Sequence, residues 1–326
     1  MEVNLVFVIG IVSLLVALMF GMFEILTPMF VIRDPELIKH ITVKDFDRFI
    51  NHRSLISADS ANSEKSTVMF TKALFNLRSQ KWRDVRTTLS PTFTGSKMRQ
   101  MFTMIVECSE NMVQALDNPA GQECEVKDLF IRFTNDVIAS VAFGVRINSF
   151  RDRENVFFRY GKDLSNFSRF HVMLKMMGYQ VFPKLMGWLQ MDIFDPKHVE
   201  FFTNLFRQSV KEREHHGTVR PDLIHLLIQA GKGKLRSQPR EDPEEVESFA
   251  TAKESNEETI LPKRTVTLSE GEMVAQCFLF FLAGFDTLAT AISFLVYEVT
   301  IAAHIQERLY EEIREVSESL DGKSLT

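Results

Sequence analysis

Hydrophobic residues recur along most of this chain at three- and four-residue spacing, the period of helices that bury one face. Met98, Met101, Ile105, Met112 and Leu116 mark one such helix. Phe130, Phe133, Val137 and Val141 mark a second, which Gly144 is placed to end as a left-handed C′ residue. Ile305, Leu309 and Ile313 mark a third, with charges around its other side. Strand signals are confined to Met29–Ile32, ahead of a helix that opens at Pro35 after Asp34. There is no run of alternating strands, no repeat and no G-x-G-x-x-G, so the pattern predicts a mainly α fold.

Three segments are apolar beyond an amphipathic stripe. Residues 5–23 contain Ser13 as their only polar side chain, which suffices for a helix across a bilayer. No basic residue precedes them, no small-x-small site ends them, and Arg33, Lys39, Lys44 and Arg48 follow. An uncleaved anchor over residues 1–23 is expected, with the body in the cytosol. Residues 172–194 are Met-rich but broken by Gly178, Pro183 and Gly187, and are expected to dip into the membrane surface rather than span it. The third run, Met273–Val296, carries Asp286 as its only charge. Ser269-x-x-Glu272 forms a capping box in front of it. A lipid-exposed central Asp would cost about 2.5–3.5 kcal/mol, so a buried core helix is the better reading. Residues 236–264, charged and Pro-punctuated, read as a solvated, disordered loop.

Composition sharpens this picture in two ways. Among 326 residues there are 29 Phe and 15 Met against 4 Tyr, which implies a large deformable interior or a pocket for greasy ligands. A net charge of −5 without a basic block leaves no footprint for nucleic acid. Three cysteines without C-x-x-C spacing exclude a disulfide framework and a zinc ribbon. Hydrolase and metalloprotease motifs are absent, and His215 and His216 are adjacent, the wrong spacing for two helical metal ligands.

Asp286 is the outstanding chemical feature. A buried carboxylate must be paired, protonated or employed. Ala283-Gly284 is the least bulky step of the run, and Thr287 supplies a hydroxyl beside the acid. Either these residues handle protons facing a flat object, or Gly284 is a packing contact and Asp286 is paired with a distant Arg. The stretch Ala283-Gly-Phe-Asp-Thr287 resembles the oxygen-activating helix of the cytochrome P450 superfamily of haem-thiolate monooxygenases. Residues 80–102, with Trp82-x-x-x-Arg86, resemble its haem-propionate helix, and residues 134–144 resemble microsomal, particularly insect, members. The similarity runs from about Thr27 to Thr326.

The resemblance implies a helical domain over residues 24–326, on the cytosolic side of the endoplasmic reticulum membrane. It implies haem as cofactor, electrons from NADPH through a reductase, and oxidation of lipophilic small molecules. Trp82 and Arg86 would hold the propionates, and Ala283 and Gly284 would lie against the haem. Asp286 and Thr287 would be the catalytic pair, delivering the protons that oxygen–oxygen cleavage consumes. Lys81, Arg83, Lys97 and Arg99 would form the basic face that meets an acidic reductase. The family has a further Thr or Ser where this chain has Leu288. Its cysteine loop, F-x-x-G-x-R-x-C-x-G, is not in the sequence, so no metal ligand is assigned. Glu311 and Arg314 match E-x-x-R spacing but read as a surface pair on an earlier helix. The front end also passes directly from anchor to strand. The expectation is a family member lacking material at two places and inactive as written. The alternative is a non-catalytic, membrane-anchored helical remnant.

Overall fold

The computed structural model describes residues 21–24, 27–51, 66–116, 123–189, 191–217, 220, 222–232 and 267–320. The loop 236–264 and residues 1–20 of the expected anchor lie outside them. Strands β1 (Gly21–Glu24) and β2 (Thr27–Phe30) pair antiparallel, Gly21 opposite Phe30. The strand thus starts two residues before the expected Met29, and the last residues assigned to the anchor supply its partner. Helix α1 (Pro35–Lys39) begins where Pro35 predicts, with Asp34 Oδ1 accepting from the Leu37 amide at 2.7 Å.

The body is an all-helical assembly: α2 (Ser66–Lys72), α3 (Ser79–Leu89), α4 (Gly95–Leu116), α5 (Val126–Phe143), α6 (Val156–Ser165), α7 (Phe170–Val181), α8 (Pro183–Trp188), α9 (Pro196–His216), α10 (Leu223–Gly231), α11 (Glu270–Ile301) and α12 (Ala303–Ser319). Helix α11 is the axis. Helix α5 packs along it, with α2, α6, α9 and α10 around its first half. The expected capping box closes its start, with reciprocal hydrogen bonds between Ser269 and Glu272. Phe143, Phe202, Phe206, Phe278, Phe281 and Phe285 are fully buried. Phe202 and Phe281 lie 4.4 Å apart by ring centroids, and Phe157 meets Phe281 edge-on at 5.5 Å. Much of the phenylalanine is therefore interior packing, ring against ring.

Helix α5 ends as predicted. Gly144 has φ +68, and the Gly144 and Val145 amides donate back to Ser140 and Ala139 carbonyls. Its faces differ from the expectation. Phe130, Phe133, Val137 and Val141 are only half-buried, while Arg132, Thr134, Asn135, Asp136 and Ser140 are buried. The following loop satisfies part of this face: Asp136 accepts from Ser149 N (2.9 Å) and Oγ (2.6 Å), and Arg132 donates to the Ser149 carbonyl. Ser140 accepts from Arg220, while Asn135 Oδ1 is left without a partner among the described residues. Burial pushes the Asp136 carboxyl above its ordinary range, against the hydrogen bonds from Ser149 and Asn135 and the Arg132 charge. On α4 the buried stripe is Met101, Met104 and Cys108, whereas Met98 and Leu116 are exposed.

Of residues 172–194, those up to Val181 lie in α7, Pro183–Trp188 form α8, and 191–194 follow them. Val172, Tyr179, Met186, Ile193 and Phe194 face inward, and Phe170, Leu174, Phe182 and Trp188 face outward. Pro183 at the first position of α8 divides the two helices. The segment is docked by one face and apolar on the other. Helix α12 buries nothing, and its Ile305, Leu309 and Ile313 stripe is uncovered.

Candidate active site

Helix α11 leaves the core at the turn holding Ala283, Gly284, Asp286 and Thr287. Ala283 and Thr287, one turn apart, are exposed on one face, continued by Ala291 and Phe294. The Thr287 hydroxyl donates to the Ala283 carbonyl, so it is held back on its own helix. On this face small side chains border open space.

Gly284 is on a different side. A Cβ there would stand 2.8 Å from Ile138 Cδ1, so its missing side chain is taken up by α5. That corrects the reading of Gly284 as room for a flat group: its smallness serves helix packing, and the open step is Ala283 alone. The reading of Asp286 as a lone buried acid is corrected too. Its side chain is 40% exposed, and Oδ1 lies 2.7 Å from Nζ of Lys127 at the start of α5. Lys127 Nζ also donates to the Thr290 hydroxyl, and more weakly to the Asp286 carbonyl at 3.4 Å. Thr134 ties the two helices further by donating to the Phe285 carbonyl at 2.7 Å. The acid is tolerated because a cation was brought to it by the fold, from 159 residues away.

Trp82 and Arg86 lie one turn apart on α3. Trp82 is half-buried against Phe46, ring centroids 6.0 Å apart, and Arg86 is exposed. The start of α3 is locked from outside: Ser79 has φ +51, a conformation unfavourable for a residue with a Cβ. Asn51 compensates, accepting from the Ser79 amide at 2.7 Å and donating to its hydroxyl at 3.2 Å. Among the described residues no hydrogen bond or ion pair joins Trp82 or Arg86 to the Asp286 turn. The link between α3 and α11 is indirect. Phe93, just after α3, touches Phe280 at 5.3 Å between centroids, and Lys81 pairs with Glu272 at 3.0 Å.

That pair has its own consequence for charge. Burial alone would raise the Glu272 carboxyl, but hydrogen bonds from Ser269 and Lys81 outweigh it and hold the group below its ordinary value. Of the four residues expected on a basic face, Lys81 is thus engaged, and Arg83 is paired with Asp47. Arg314 pairs with Glu318 at 3.9 Å instead of the expected Glu311.

Two residues that pattern reading missed hold the region together. Gln276, fully buried in α11, accepts from the Leu74 amide at 2.8 Å and donates to the Lys72 carbonyl at 3.0 Å. Lys127 is the other. A polar residue in an apolar run was the available signal for Gln276; for Lys127, distant in sequence, there was none.

The residues suit a haem in part. An exposed guanidinium, an indole nitrogen on the same helix and a strip bordered by Ala283 are the donors and the space a dianionic macrocycle needs. A thiolate to hold its iron is not supplied by the buried cysteines. Burial pushes Cys108 and Cys277 up to about 12, so both are neutral thiols inside the core. Among the described residues no cluster of His, Cys, Asp or Glu could hold a metal ion.

A long central helix thus carries the acid–alcohol pair, and the Trp-x-x-x-Arg helix reaches it through Phe93–Phe280 and Lys81–Glu272. The sequence model of the family "Cytochrome P450" matches residues 18–323, and the chain belongs to that family. It is 40% identical over 315 residues to "Probable cytochrome P450 9f2" of Drosophila melanogaster, covering 94% of this chain and 56% of that protein. It is 39% identical over 320 residues to "Cytochrome P450 9e2" of Blattella germanica, covering 93% and 56%. With "Cytochrome P450 9c1" of Drosophila melanogaster it shares 38% over 309 residues, covering 94% and 55%. The chain therefore spans about half the length of the curated relatives it matches.

Proposed function

We propose that this chain is the oxygen-side part of a microsomal monooxygenase of lipophilic small molecules. The observation that carries the reading is the open Ala283–Thr287 face of α11, flanked by an acid fixed at its edge. Arg86 and Trp82 bind the haem propionates, and Ala283 keeps the helix close to the ring without a bulky side chain. Bound haem supplies the activation of dioxygen. Thr287 presents a hydroxyl to that side, and Asp286 holds or passes a proton beside it. Electrons come from NADPH through a reductase that meets the basic residues on and after α3: Lys81, Arg83, Lys97 and Arg99.

Residues 1–20 anchor the protein in the endoplasmic reticulum membrane, ahead of a cytosolic catalytic domain that begins with β1. The outward apolar side chains of α7 and α8 support a second contact with lipid. A second reading, a non-catalytic membrane-anchored remnant, is favoured by one observation: two of the three cysteines are buried neutral thiols.

Titration of the full chain with haemin, read at the Soret band, tests the first reading. Ala283→Trp and Arg86→Glu are each expected to weaken binding about tenfold or more, with α12 variants such as Leu309→Gln unchanged. Equal binding by Ala283→Trp sinks it. Reduction under carbon monoxide separates the two readings: a red-shifted thiolate band from this chain supports the first, and haemin bound without that band supports the second.

A further inference from the structure

The contacts around Asp286 carry one step more. From α5, Lys127 reaches three oxygens on α11: the carboxylate of Asp286 at 2.7 Å, its carbonyl at 3.4 Å and the Thr290 hydroxyl. Thr290 in turn donates to the Asp286 carbonyl at 2.9 Å and stands 3.5 Å from Oδ2. Helical geometry puts Asp286 about 60° around the axis from Ala283 and about 100° from Thr287, at the border of the open face. A surface carboxylate at such a border samples several staggered rotamers. Here an ammonium and a hydroxyl hold it toward α5 from one turn further along.

We infer that Lys127 is the positioning residue for Asp286, fixing the carboxylate at the rim of the open face with Thr290 as its second support. This rests on the proposed function for its meaning, because an acid that moves protons for Thr287 must be held at a defined place. It does not rest on it for its geometry. Lys127 is itself 38% exposed, so an ion pair of this kind stabilises the fold little. Its role is orientation.

The test uses the full chain in detergent or nanodiscs, labelled with 13C-aspartate, with Asp286→Asn identifying the signal. The wild type is expected to show a single Asp286 χ1 rotamer. Lys127→Met and Lys127→Gln should show rotamer averaging with an unchanged far-UV spectrum and melting temperature, and Lys127→Arg should restore the single rotamer. One rotamer in both neutral variants overturns the inference. A second readout is the C–O stretching band of the haemin-loaded, reduced chain under carbon monoxide, which senses the field of nearby charges. It should shift or broaden in Lys127→Met and return in Lys127→Arg; an unmoved band leaves Lys127 a merely structural residue and overturns the positioning role. If haemin does not bind at all, the proposed function falls, and the rotamer result alone decides the place of Lys127.

Discussion

The two halves of α11 are alike in hydropathy and opposite in fate. From Met273 to Phe285 the helix is the centre of the molecule, with Phe278, Phe281 and Phe285 fully buried. Beyond Asp286 it stays apolar, yet Leu288, Phe294, Leu295 and Ile301 are exposed. By length and composition α11 is the one helix among the described residues that could cross a membrane. Gln276, Asp286 and its packing on α5 place it instead as a core helix that emerges halfway. Hydrophobicity states what a segment would accept as cover; packing decides what it receives. The change from covered to uncovered falls at Ala283–Asp286, the turn with the candidate chemistry.

The sharpest way to break this contrast is one substitution in each half. Phe281→Ala removes a ring packed against Phe157, Phe202 and Phe285 and is expected to cost about 3–5 kcal/mol. Phe294→Ala should change stability by no more than about 0.5 kcal/mol. Urea unfolding followed by circular dichroism measures both, and similar losses would remove the distinction. Gln276→Leu comes next. It leaves the Leu74 amide and Lys72 carbonyl without their partner, an expected loss of about 1–3 kcal/mol.

The smallest effect is at the capped start of the helix. Glu272 has its carboxyl lowered in the folded state, so its contribution is present above the ordinary value of 4.5 and is lost as pH falls through the lowered one. Lys81 is largely exposed, which limits that contribution to under about 1 kcal/mol. Melting temperatures of wild type and Glu272→Gln should differ at pH 7 and converge in acid. A gap that widens in acid would reverse the sign of the argument.

What was legible in the sequence was what local rules specify. The Ser269–Glu272 box, the Gly144 stop and the Asp34–Pro35 start each depend on neighbours within a few residues. The helices were legible from their period, but the buried side of α5 was not, because a polar face is buried when a loop such as that of Ser149 returns to satisfy it. The α12 stripe was legible as a stripe and uninformative about cover. At the site, the acid and its small neighbours stood out in the sequence. Which neighbour stays open was settled by Ile138 filling the space beside Gly284, and the partner of Asp286 was settled by where α5 begins. Both are long-range contacts with no local trace.

The cysteines leave a practical opening. Alkylating reagents attack thiolates, and at neutral pH the two interior thiols, at about 12, offer almost none. Cys124, exposed and three positions ahead of Lys127, is then a natural single handle for a dye or spin label. A reporter placed there would sit at the root of α5, where movement of that helix against α11 could be followed without engineering any other residue.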